Sequence, residues 1–124
     1  LYYTETGSWE YLANFGGPGY IPAPGDYDGD GVTDFGLYDY RYGYWYVWSP
    51  VNGWLVYNFQ WGDSNYIPVA GDYDGDGKSD LAVYSRYYGD WYFYYMGSGS
   101  TARLSNFGGT YYVPITYWAL YWYM

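Results

Sequence analysis

Gly25-Asp26-Tyr27-Asp28-Gly29-Asp30-Gly31-Val32-Thr33-Asp34 returns later in the chain as Gly71-Asp72-Tyr73-Asp74-Gly75-Asp76-Gly77-Lys78-Ser79-Asp80. Each copy crowds four carboxylates into nine residues. Like charges at that spacing repel, and only Lys78 is close enough along the chain to offset them, so the cluster calls for a counter-ion. A hard dication meets the need. Asp26, Asp28 and Asp30 stand at positions 1, 3 and 5 of a Ca²⁺-type loop, the Val32 carbonyl at 7 and Asp34 at 9. Asp72, Asp74, Asp76, the Lys78 carbonyl and Asp80 repeat the pattern, and Gly31 and Gly77 permit the sharp turn. An acidic surface turn without metal is the plainer alternative. A turn, however, uses one or two aspartates and has no need of the same four twice.

A helix-flanked Ca²⁺ loop also requires a bidentate Glu at position 12, where this chain has Leu37 and Val83. The loops are therefore not of that kind. The residues that follow, 35–38 (FGLY) and 81–84 (LAVY), are short, apolar and bounded by turns, which predicts strands.

The chain has 124 residues, enough for one modest domain or a piece of a larger one. Its net charge is −9, from 13 acidic and 4 basic residues, and the two loops hold eight of the acids. Arg41, Lys78, Arg86 and Arg103 are the only cations, which gives no footprint for nucleic-acid phosphates or anionic lipid. With no Cys, disulfides play no part. No apolar run approaches the ~20 residues of a membrane helix, and the first residues lack the basic-then-apolar pattern of a signal peptide. Aromatics make up 30% of the residues, with 24 Tyr and 8 Trp. Such side chains favour pleated, half-buried surfaces, so the composition predicts an all-β protein and argues against disorder.

The chain repeats with a period of 46 residues. Beyond the loops, Phe15, Trp61 and Phe107 align, as do Tyr20, Tyr66 and Tyr112, Pro22, Pro68 and Pro114, and the turn glycines Gly7, Gly53 and Gly99. Each full unit divides into four short strands. The first has 20–23, 35–38, 45–48 and 54–59; the second has 66–70, 81–84, 91–96 and 102–107. Four antiparallel strands per unit of this length is the pattern of a propeller blade.

The run GDYDGDGKSDLAVY (71–84), the W-Y strand after it and the segment YIPVAGDY (66–73) resemble the FG-GAP/VCBS-type calcium-binding β-propeller repeats of bacterial surface and secreted proteins. More distantly they resemble integrin α-subunit blades. The resemblance covers nearly the whole chain. It implies that each acidic loop joins the innermost strand of a blade to the second and binds Ca²⁺ through Asp26, Asp28, Asp30, Asp34, Asp72, Asp74, Asp76 and Asp80. The third repeat departs from the pattern, because residues 117–123 read YWALYWY where an acidic loop is expected.

In this register residues 1–19 form an outer half blade, 20–65 and 66–111 two complete blades with Ca²⁺ loops, and 112–124 an inner half blade without one. Two chains placed end to end would complete a composite third blade. Strand exchange between copies would cover open strand edges and build a ring if the rotation closes, a fibre if it does not.

Catalysis finds little to use: His and Cys are absent, and Glu5 and Glu10 are the only Glu residues. The sequence therefore predicts a non-enzymatic, Ca²⁺-stabilised structural module that associates with copies of itself. Loops of the extracellular affinity class, with Kd of roughly 10⁻⁴–10⁻³ M, place it outside the cell or on its surface. Trp45, Trp91, Phe59 and Phe107 are the expected core. Runs such as 38–46 and 87–95 hold more aromatics than one buried face uses, which leaves a glycan-binding, lectin-like propeller module as one alternative; a fragment of a longer adhesin is the other. No N-x-S/T sequon is present.

Overall fold

The computed structural model describes Tyr2–Tyr3, Trp9–Glu10 and residues 15–109. Ten strands run through them: β1 (Tyr2–Tyr3), β2 (Trp9–Glu10), β3 (Tyr20–Pro22), β4 (Phe35–Asp39), β5 (Tyr44–Ser49), β6 (Gly53–Gln60), β7 (Ile67–Pro68), β8 (Leu81–Ser85), β9 (Asp90–Tyr94) and β10 (Thr101–Leu104). No helix occurs among the described residues. The protein is all-β, as its aromatic composition predicts.

Strands β3 to β6 form one four-stranded antiparallel sheet in sequential order, and β7 to β10 form a second; β1 and β2 pair antiparallel as a separate hairpin. Both four-strand units fall where the repeat puts them. Their ends differ from the sequence reading in the second unit, where β9 stops at Tyr94 and β10 at Leu104. The amides beyond those points have other work. Met96 N donates to Asp80 Oδ1 at 3.0 Å, Tyr95 N to Ser100 O at 2.9 Å, and Phe107 N to Gly89 O at 2.9 Å.

One core binds the two sheets. Tyr38, Trp45 and Val47 of the first lie buried with Leu81 and Val83 of the second, and Phe59, Tyr92 and Tyr94 pack around them. Ile21 of β3 joins Ile67, Val69, Ala82, Tyr84 and Phe93 in a second cluster. Strand β5 alternates half-buried and buried residues, the period-2 signature of a strand with one fully covered face. Every residue of β8 is buried. That strand is covered on both faces, which its run of apolar residues allows.

Phe107 does not join the core: it is 62% exposed. Its equivalent Trp61 is half-buried because it rests on Tyr94 of the sheet that follows, with ring centroids 5.7 Å apart. Phe107 is used through its backbone instead, its carbonyl accepting from Trp91 Nε1 at 2.8 Å. The composite blade expected from 1–19 and 112–124 lies largely outside the described residues.

Candidate metal centre

Each acidic loop leaves an edge strand of its sheet, β3 or β7, and returns into β4 or β8. Isolated bridges Gly25↔Asp34 and Gly71↔Asp80 close the two loop necks. A tyrosine at the second loop position anchors each one. Tyr27 Oη donates to Ala23 O at 2.6 Å and Tyr73 Oη donates to Val69 O. The first aspartate then organises the turn as an acceptor for successive amides. Asp26 takes Gly29 N at 2.9 Å, Asp30 N at 3.2 Å and Gly31 N at 2.8 Å, and Asp72 takes Gly75, Asp76 and Gly77 in the same way. Gly31 and Gly77 have φ of 84° and 88°, the left-handed conformation that glycine adopts without strain.

The loops bring carboxylates together in threes. Asp26, Asp28 and Asp34 each present an oxygen within 4.8 Å of the others, and so do Asp72, Asp74 and Asp80. Asp30 and Asp76 stand outside these triads and accept the Val32 and Lys78 amides at 2.9 Å. The Val32 and Lys78 carbonyls, which the spacing nominates, belong to that same short turn. Lys78 makes no ion pair among the described residues; its side chain runs beside Gly29 of the other loop.

Asp34 and Asp80 are fully buried, each with Oδ2 accepting the amide of Tyr27 or Tyr73. Burial pushes the Asp34 carboxyl up to about 6, against the pull of the Tyr27 amide and with the help of the Asp28 and Asp30 charges. Asp80 is raised for the same reason, opposed by the Tyr73 and Met96 amides. Asp28 goes the other way: partial burial works to raise it, but the Asn52 hydrogen bond and the nearby Ser49 hydroxyl hold it down at about 2.

Two residues outside the loops thus take part, and the spacing of aspartates gave no hint of them. Asn52 Nδ2 donates to Asp28 Oδ2 at 2.7 Å from the β5–β6 turn, and the buried Ser49 hydroxyl lies beside the same cluster. The signal available in sequence was only that the β5–β6 turn keeps polar residues at 49 and 52.

Whether a cation fits is decided by unpaired oxygen. Asp28 Oδ1 and Asp34 Oδ1 are buried and accept no hydrogen bond. Two buried carboxylate oxygens with unmet acceptor capacity, beside the Asp26 carboxylate, suit a hard dication that binds through oxygen at the first loop.

Residues 64–103 match the family model for the FG-GAP repeat. The match spans β7 to β9, the second acidic loop and all but the last residue of β10. No curated protein and no solved structure matches the chain.

Proposed function

We propose that this chain is a non-enzymatic, Ca²⁺-stabilised module of β-propeller type, belonging to a larger extracellular or cell-surface assembly. The buried, unpartnered Oδ1 of Asp34 among three converging carboxylates is the observation that carries it. An ion held by Asp26, Asp28 and Asp34, and another by Asp72, Asp74 and Asp80, would neutralise loops that otherwise repel themselves. Binding energy then becomes folding energy for the sheet that each loop enters. The match of 64–103 to the FG-GAP repeat supports the propeller-type architecture. The complete lack of His and Cys supports a role without catalysis.

A further blade packing on the first sheet fits the periodicity. Leu81, Val83, Tyr92 and Tyr94 are the second-sheet residues that pack against the first. Their counterparts 46 residues earlier are Phe35, Leu37, Tyr46 and Trp48, on the opposite face of the first sheet. That face holds an open groove of about 250 Å³ lined by Phe15, Tyr20, Leu37, Tyr46, Trp54 and Tyr57, with Trp54 50% and Tyr57 67% exposed. A copy of this chain, docking head to tail, is the occupant we favour. Mass in solution by light scattering, with Ca²⁺ and after EDTA, tests both parts. A Ca²⁺-dependent oligomer is expected, and a monomer indifferent to Ca²⁺ opposes the reading.

Carbohydrate binding is the second reading. The two equivalent hairpin turns expose Tyr42, at 59%, and Tyr87 and Tyr88, at 58% and 70%, as flat faces on which sugar rings can stack. Glycan-array binding lost in Tyr42→Ser and Tyr88→Ser would shift weight to it.

A further inference from the structure

The two loops share their aspartates but not their surroundings. In both, the closing aspartate gives Oδ2 to a tyrosine amide, from Tyr27 at 2.8 Å or Tyr73 at 2.9 Å. Their other oxygens part ways. Asp80 Oδ1 accepts the amide of Met96 at 3.0 Å. The residue one period before Met96 is Pro50, which has no N–H to give. Asp34 Oδ1 accordingly stays buried without a hydrogen bond, although the Ser49 hydroxyl lies near the carboxyl.

We infer that the loops are unequal cation sites, the first the tighter, because Pro50 withholds from Asp34 the hydrogen bond that Met96 gives to Asp80. This rests on the Ca²⁺ reading above. A buried acceptor left unpaired is costly until something positive reaches it, so an ion at the first loop removes a penalty that the second loop does not carry. At the second loop the ion competes for an oxygen with one lone pair already engaged. A further difference acts in the same direction. Asp28 is held in place by Asn52 at 2.7 Å from outside its loop, whereas among the described residues Asp74 accepts only the Asp76 amide, at 3.4 Å, from within its own. Asp26 and Asp28 are half-buried, and Asp72 and Asp74 are exposed. The first loop is therefore more preorganised and less hydrated before the ion arrives.

Calorimetric titration of the EDTA-stripped chain with CaCl₂ tests this. Two steps separated by about tenfold or more in Kd are expected. Asp28→Asn should delete the tighter step and Asp74→Asn the weaker. Pro50→Ala, which restores an N–H at position 50, should weaken the tighter step several-fold, and Met96→Pro should tighten the weaker. Circular dichroism checks that each variant keeps its strands; should Met96→Pro fail to fold, the two Asp→Asn variants and Pro50→Ala still decide. Two equal sites, or loss of the tighter step in Asp74→Asn, overturn the inference and leave the Ca²⁺ reading standing. No binding at either loop removes both.

Discussion

Asp34 concentrates the electrostatics of the first loop in one side chain: fully buried, bonded through one oxygen and unpaired at the other. Its carboxyl is raised to about 6 in the folded protein, against about 4 in an unfolded chain. A raised folded pKa means that the folded state binds the proton more tightly. The stabilisation is complete below about pH 4 and is lost as pH climbs through about 6. The metal-free protein should then gain thermal stability between pH 7 and pH 5, with Asp80 contributing in the same sense. In saturating Ca²⁺ the trend reverses over that window, since the ion needs the ionised carboxylates. Melting curves of EDTA-dialysed and Ca²⁺-loaded protein across pH 5–7 check this, and parallel curves would contradict it. Tyr27 gives a second test at this scale. Tyr27→Phe leaves Ala23 O without its 2.6 Å partner and should cost about 1 kcal/mol, read as a lower urea midpoint.

Each sheet is tied to the segment after it by one indole. Trp45 Nε1 donates to Trp61 O at 2.9 Å, and Trp91 Nε1 donates to Phe107 O at 2.8 Å. The equivalence is chemical but not energetic, because Trp45 is fully buried between the sheets and Trp91 only partly buried. Trp45→Phe should cost about 2 kcal/mol and Trp91→Phe about half as much, by denaturant titration. The turns are stricter. Gly43 has φ of +83°, and a Cβ there would stand 2.2 Å from the Gly62 backbone carbon, where the chain crosses to the second sheet. Gly43→Ala therefore combines backbone strain with a clash that no rotamer relieves. It should destabilise by about 3 kcal/mol or more and broaden the spectrum of the first sheet in heteronuclear NMR.

Across the whole molecule, the two sheets meet through large side chains and place their acidic loops at the entry to the second strand of each. Leu81 is fully buried at that contact, and Leu81→Ala should cost about 3 kcal/mol. Ca²⁺ bound at the loops, as proposed, would act on the same equilibrium. At about 10 mM, against Kd values of the extracellular class, two ions should raise the melting temperature by roughly 10 °C; Asp28→Asn with Asp74→Asn should abolish the rise. An unchanged transition after EDTA would count against metal at these loops.

The sequence alone determined the repeat, the strands within it and the eight aspartates that crowd into two loops. Those features are local: a turn, an alternation or a carboxylate cluster is written in consecutive residues and recurs at a fixed spacing. Which sheet face meets its neighbour was decided only in three dimensions. Strands β4 and β5 carry large apolar side chains on both faces, Tyr38 and Trp45 on one and Leu37 and Tyr46 on the other. Alternation cannot then tell a covered face from an open one. The same holds for Phe107, exposed although aligned with Trp61: Trp61 is covered by Tyr94 of the second sheet, a contact that the alignment cannot carry over to Phe107. The inequality of the loops lies between these cases: Pro50 and Met96 are plain in the alignment of the repeat, but only the fold brings position 96 within 3.0 Å of a carboxylate sixteen residues away.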